Sequence, residues 1–187
     1  MAQSRVGKRD YAMLLLACRL GLRSSDIRFL TFTDIDWKKK EIRTKQYKTE
    51  VEISLPLLHD VGEAIINYIQ NARPKCDLPY VFITEIYPFR ALSATAISHN
   101  VARIIRSAGI KTGSRHVGTH SLRHSLATQM MKSGVPLPTI SEVLGHTTTE
   151  STMIYLSVDQ ETLLRYALDV PPIPNTLYTQ RGGLFYV

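Results

Sequence analysis

Cysteine is scarce in this chain, with Cys18 and Cys76 the two instances in 187 residues. Neither has a CxxC partner, so both read as reduced thiols, not as a disulfide or a metal site. Long apolar runs are also missing. The longest, Tyr11 to Cys18, falls far short of the ~20 residues that cross a bilayer, so no membrane role is expected. No charged-then-apolar leader opens the sequence, and a cytoplasmic location is the resulting expectation. Polar low-complexity stretches and internal repeats are lacking too, which argues against a disordered chain or a solenoid. Acidic residues are outnumbered, 16 against 23 Lys and Arg, for a net charge of +7. That balance alone fits a solvated basic surface as well as a nucleic-acid footprint.

What is present suffices for one domain. A chain of this length buries about 70% of the surface of its unfolded form, and 44% hydrophobic content can supply the core. Ala12, Leu15, Leu16 and Leu20 recur at helical spacing, and Gly21 closes that helix. Ser24 or Ser25 can cap a short second helix through Leu30. Glu41 to Gln46 and Val51 to Leu55 alternate as a hairpin, with Pro56 as its stop. Tyr80 to Thr84 is the expected third strand. A helix over 57–70 would bury Leu58, Val61, Ile65, Ile66 and Ile69, and another spans Ser93 to Ser107. Further helices are expected from Thr119 to Lys132 and, with Pro138 in its first turn, through Leu144 to a left-handed Gly145. Thr147-x-x-Glu150 is a capping box opening the helix of Tyr155, and one more helix covers Asp159 to Leu168. Pro171-Pro172-Ile173-Pro174 then breaks the chain before a tail.

Five chemistry-bearing positions stand out: Arg23 near the start, then His120, Arg123, His146 and Tyr155. Each has a bland alternative, because this chain holds nine tyrosines and six histidines that can simply pack. Together they form a pattern. Gly21-Leu22-Arg23-Ser24-Ser25-Asp26, Thr119-His120-Ser121-Leu122-Arg123-His124, Leu144-Gly145-His146 and Tyr155 resemble the tyrosine recombinase, or phage integrase, family over roughly residues 10 to 168. Asp26 departs from the glutamate common there, and its shorter carboxylate can still buttress Arg23.

The resemblance implies an α+β fold, mostly helical with a small three-stranded antiparallel sheet, like that of DNA breaking-rejoining enzymes. It implies cleavage and rejoining of DNA through a 3′-phosphotyrosyl intermediate, for integration or excision of a mobile element, with no cofactor, metal or ATP. Tyr155 would be the nucleophile. A phenol with a pKa near ~10 calls for positive surroundings or a base. Arg23 and Arg123 would clamp the non-bridging oxygens, where a planar guanidinium pairs with two at once. His120, three residues before Arg123 on one helix face, and His146 would orient phosphate or move a proton. Lys48 in the hairpin turn would protonate the leaving oxygen, with Lys45 as the competitor. Arg43, Lys45, Arg103, Arg106, Lys111, Arg115 and His116 are candidates for contacts to the DNA backbone. His120 and His124 share a face as zinc-hydrolase histidines do, but Ser121 replaces the glutamate of HExxH, so no metal is expected.

Double-stranded DNA is thus the expected partner, with a homo-tetramer on DNA, a monomer as the alternative when unbound, and accessory DNA-bending proteins left open. Residues 1–170 would form the catalytic domain, isolated or truncated, with the family's N-terminal DNA-binding domain absent. Residues 171–187 would be a tail, either exchanged between subunits or a disordered end. Two other readings are a type IB topoisomerase and a DNA-binding regulator that lost cleavage. The His120-x-x-Arg123 form speaks against the first, because those topoisomerases typically carry lysine where this chain has histidine.

Overall fold

The computed structural model describes residues 4–113 and 116–145. The expected fold class holds: six α-helices and a three-stranded antiparallel sheet occur among the described residues. Helix α1 (Arg5–Leu20) is the central element and packs against α3 (His59–Asn71), α4 (Ala94–Ser107) and α5 (Thr119–Lys132). The hydroxyl of Ser4 caps it by accepting from the Gly7 N–H at 3.0 Å. Gly21 ends it in the left-handed region at φ 66°, where a Cβ would also meet Leu144 and Leu126 side chains at 2.9 and 3.0 Å. Ala12, Met13, Leu16 and Ala17 on its inner face are fully buried.

Helix α2 (Ser24–Phe29) begins one residue earlier than a serine cap requires. Arg23 holds the cap position, and the Asp26 carboxylate closes the turn by accepting from the Arg23 N–H at 3.3 Å. Strands β2 (Glu41–Lys45) and β3 (Glu52–Pro56) form the expected hairpin, in a register that pairs Ile42 with Leu55 and Lys45 with Glu52. Buried Ile42, Ile53 and Leu55 point inward and exposed Arg43, Glu52 and Ser54 outward, the period of two expected of a half-covered sheet.

The third strand is a different one. It is β1 (Ile35–Asp36), paired with β2, and not residues 80–84. That segment joins its neighbours through two isolated bridges, Thr31 to Tyr80 and Ile83 to Ala91. Val81, Phe82 and Ile83 are all fully buried, so the run lacks the alternation of a strand at the sheet's edge. The Arg73 guanidinium also takes the carbonyls of Leu78, Tyr80 and Val81 at 2.9–3.1 Å, which removes ladder acceptors. Helix α3 turns Val61, Ala64, Ile65 and Tyr68 inward, but Ile66 is 38% exposed, because one helical step of about 100° carries it off that face.

Ser93 caps α4 by accepting from the Ala96 N–H at 3.1 Å. Helix α5 starts at Thr119 itself, with Gly118 as cap, and α6 (Leu137–Leu144) ends on Gly145 at φ 61°. Ala127, Ile140 and Leu144 form a second, smaller core between these two helices. No helix among the described residues is long and apolar enough to cross a membrane.

One buried ionic knot ties α1 to α4. Asp10, 2% exposed, accepts from Arg9 at 3.0 Å, Asn100 at 3.3 Å and Arg103 at 2.8 Å. Replacing Asp10 by alanine leaves the buried Arg9 guanidinium short of its main counter-charge. The expected loss is about 3–5 kcal/mol of unfolding free energy, read from urea denaturation. An unchanged midpoint would show that the knot carries no stability.

Candidate functional site

Arg123 is the buried anchor of the site, at 4% exposure on the inner side of α5. Its guanidinium donates to the Gly21 carbonyl at 2.8 Å and to the Leu144 carbonyl. Both oxygens sit at helix C-termini, where carbonyls lack intrahelical partners and the helix dipole is negative. A cation is held there by the ends of α1 and α6 together.

Arg23 approaches from the other side. Its guanidinium donates to the Gln46 side-chain oxygen and lies 4.0 Å from the Asp26 carboxylate. Asp26 is 1% exposed and also accepts from the Tyr47 N–H at 3.1 Å, so one carboxylate holds both Arg23 and the hairpin tip. The Tyr47 ring stacks on Phe29 of α2 at 4.8 Å between centroids. The backbone around Lys48 is therefore docked on α2, while the Lys48 side chain stays exposed.

Gln46 is fully buried. Its amide nitrogen donates to the Leu144 carbonyl at 2.8 Å, and its oxygen also accepts from Thr49 at 2.8 Å. A Cβ on Gly145 would meet this amide at 2.5 Å, so the glycine answers to close approach as well as to its positive φ.

His120 sits exposed at the rim, its ring 4.2 Å from that of His124 and tilted by 49°. The surrounding protein pushes its pKa below the ordinary histidine value, and the positive charges of Arg123, Arg23 and Lys48 add to the effect. His124 is lowered as well, first by its surroundings and then by His120 and Arg123. Four of the candidate catalytic residues, Arg23, Lys48, His120 and Arg123, thus share one electrostatic neighbourhood. His146 and Tyr155 lie outside the described residues, as does Arg115.

The remaining basic candidates divide. Arg43 pairs with Glu41 at 2.6 Å, Lys45 with Glu50 at 3.7 Å and Arg103 with Asp10 at 2.8 Å. Arg106 and Lys111 are exposed. His116 lines, with Ser98, His120, Ser121, His124 and Ser125, a groove of about 470 Å³. Among the described residues no group of three His, Cys, Asp or Glu is arranged to hold a metal ion.

Sequence inspection did not single out Gln46. A signal existed, because extending the inward alternation Ile42, Thr44 by one step of two places residue 46 on the buried face.

Known proteins resemble this chain in sequence or in fold. The phage integrase family model matches residues 1–162. The putative integrase/recombinase y4gC of Sinorhizobium fredii is 39% identical over 165 residues, 88% of this chain and 84% of that protein. The crystal structure of XerA recombinase superposes with a TM-score of 0.72 at 21% identity, over 95% of this chain and 60% of XerA. The XerH recombinase, bound to a palindromic difH substrate in a post-cleavage complex, gives 0.71 at 22% identity over 87% of this chain. The chain spans 46% of the length of XerH.

The lowered histidines carry a pH signature. The unfolded chain binds protons that the folded one resists, so their contribution is present above the ordinary pKa of about 6.5 and is lost as pH falls through the lowered folded values. A His120→Gln/His124→Gln variant should therefore lose less stability than the wild type between pH 7.5 and 5.0, measured by urea unfolding at each pH. Parallel losses would place the proton-linked instability elsewhere.

Proposed function

The chain belongs to the phage integrase family, the tyrosine recombinases, and on that premise we propose that it cuts and rejoins DNA strands with Tyr155 as nucleophile. The phenol oxygen attacks the scissile phosphorus, the bond to the 5′-oxygen breaks, and a 3′-phosphotyrosyl ester remains. That ester keeps the energy of the broken bond, so a 5′-hydroxyl can attack it in turn and restore the strand without ATP or metal. The observation that carries this reading is the hydrogen-bonded link from Arg23 through Gln46 and the Leu144 carbonyl to Arg123, which brings both guanidiniums to one place.

Each residue has a task in the scheme. Arg23 and Arg123 neutralise the non-bridging oxygens as charge builds there. A guanidinium has five N–H donors, so anchorage on two carbonyls is compatible with donation to phosphate. His120, with its lowered pKa, is the neutral imidazole at physiological pH and can accept the tyrosine's proton. Lys48 donates a proton to the departing 5′-oxygen. His146, directly after the Gly145 turn, adds a further donor to phosphate.

Double-stranded DNA as the partner is supported by the net charge of +7 and by the similar Tn1549 transposon integrase, solved in complex with transposon right end DNA. Integration or excision of a mobile element is the proposed process, carried out by a homo-tetramer on DNA. In that assembly the apolar end Leu184-Phe185-Tyr186-Val187 would dock on a neighbouring subunit.

The test is relaxation of a supercoiled plasmid in EDTA without ATP, stopped with SDS, for the wild type and Tyr155→Phe. The expected result is relaxation with a covalent protein–DNA adduct that maps to Tyr155 and is absent from the variant. An adduct that persists in Tyr155→Phe would overturn the assignment of the nucleophile.

A further inference from the structure

Gln46 links three parts of the proposed machinery, although its amide cannot take a proton at physiological pH. Its side-chain oxygen accepts from Arg23 and from Thr49, and its nitrogen donates to the Leu144 carbonyl, which Arg123 also engages. One continuous chain of hydrogen bonds therefore runs from one guanidinium to the other through a single neutral amide and a single carbonyl. The backbone of Gln46 is equally engaged. Its N–H donates to the Val51 carbonyl at 2.9 Å and its carbonyl accepts from the Glu50 N–H at 2.8 Å, which closes the turn holding Lys48.

We infer that Gln46 is a positioning residue that locks the Lys48 turn, the Arg23 guanidinium and the Leu144-Gly145 turn into one unit. The role of Lys48 in it rests on the functional reading above; the mechanical coupling does not.

The residue type follows from the partners. Arg23 can only donate and the Leu144 carbonyl can only accept, so the group between them must present an acceptor and a donor at fixed separation. An amide does so without charge. A carboxylate would set oxygen against the Leu144 oxygen, and a thioether would satisfy neither partner. Burial makes the requirement strict, because an unpaired polar group is most disruptive where water cannot reach it. The Thr49 contact crosses the turn from the far side of Lys48, so the lysine's backbone is held between two anchored residues.

Two measurements on the full chain decide the matter. The first is amide hydrogen exchange of wild type, Gln46→Met and Thr49→Val. In Gln46→Met the amides of Tyr47, Glu50 and Gly145 should lose protection together, by about tenfold or more, while those of α3 stay unchanged. Thr49→Val should loosen Tyr47 and Glu50 in the same direction, and keeps the question open to test if Gln46→Met fails to fold. In Gln46→Met, loss of protection in the turn without any change at Gly145 would overturn the coupling.

The second is the rate of adduct formation on supercoiled plasmid in a double-mutant cycle. Gln46→Met alone should slow it roughly 100-fold, the scale of a small misplacement of reacting groups. In a Lys48→Ala background the same change should add less, because one of the groups that Gln46 positions is gone. Additive losses would overturn the part of the inference in which Gln46 acts through Lys48. A wild type that forms no adduct would sink the functional reading alone, since exchange still decides the coupling.

Discussion

A buried positive charge needs a reason, and Arg123 has one in two helix ends. The Gly21 carbonyl that caps α1 and the last carbonyl of α6 have no donors within those helices, and the guanidinium supplies them. Each end is a partial negative charge, so the pair offsets much of the desolvation that an isolated cation would suffer. The rest of the site is arranged around that exchange. Both helices stop on glycines with positive φ, Gly21 and Gly145, because the chain must reverse at once to leave the carbonyls facing inward. A side chain at either glycine would strike its neighbours as well.

Around the anchor, positive charge is concentrated. Asp26 faces Arg23 and the hairpin backbone from within the fold. His120 stands on the open side, and its lowered pKa records first its partial burial and then the charges of Arg123, Arg23 and Lys48. Elsewhere the surface treats its basic residues differently: Arg43 and Lys45 on the outer face of the hairpin each meet a glutamate.

Much of this is legible in the sequence. Helical periodicity, the terminal glycines and the hairpin alternation place α1, α3 to α6, β2 and β3 within a few residues, because each rule reports a local preference that the fold respects. The third strand is not legible. The segment at 80–84 is as apolar and β-branched as a strand, yet it is buried on all sides and its carbonyls are claimed by Arg73, a partner no local pattern reveals. Ile66 shows the same limit in a helix, since several apolar residues in a row do not say which one faces out. At the site, Arg23, Lys48, His120 and Arg123 can be named from motif spacing. Gln46 is harder to see, because a glutamine beside a hairpin turn looks solvated until two distant elements close over it.

Those closures span great lengths of chain. The bond from Arg123 to Gly21 joins residues 102 positions apart, and that from Gln46 to Leu144 joins residues 98 apart. The second cannot exist in a partly synthesised chain that lacks the end of α6, and without the Leu144 carbonyl Arg123 keeps only half of its anchor. On a ribosome, the N-terminal arginine is made early but has no clamp to belong to until residue 145 has emerged. Contacts of such long range also form late in folding, after the loops between them have lost their freedom. The proposed catalytic site is thereby kept unformed until the end of α6 has been made.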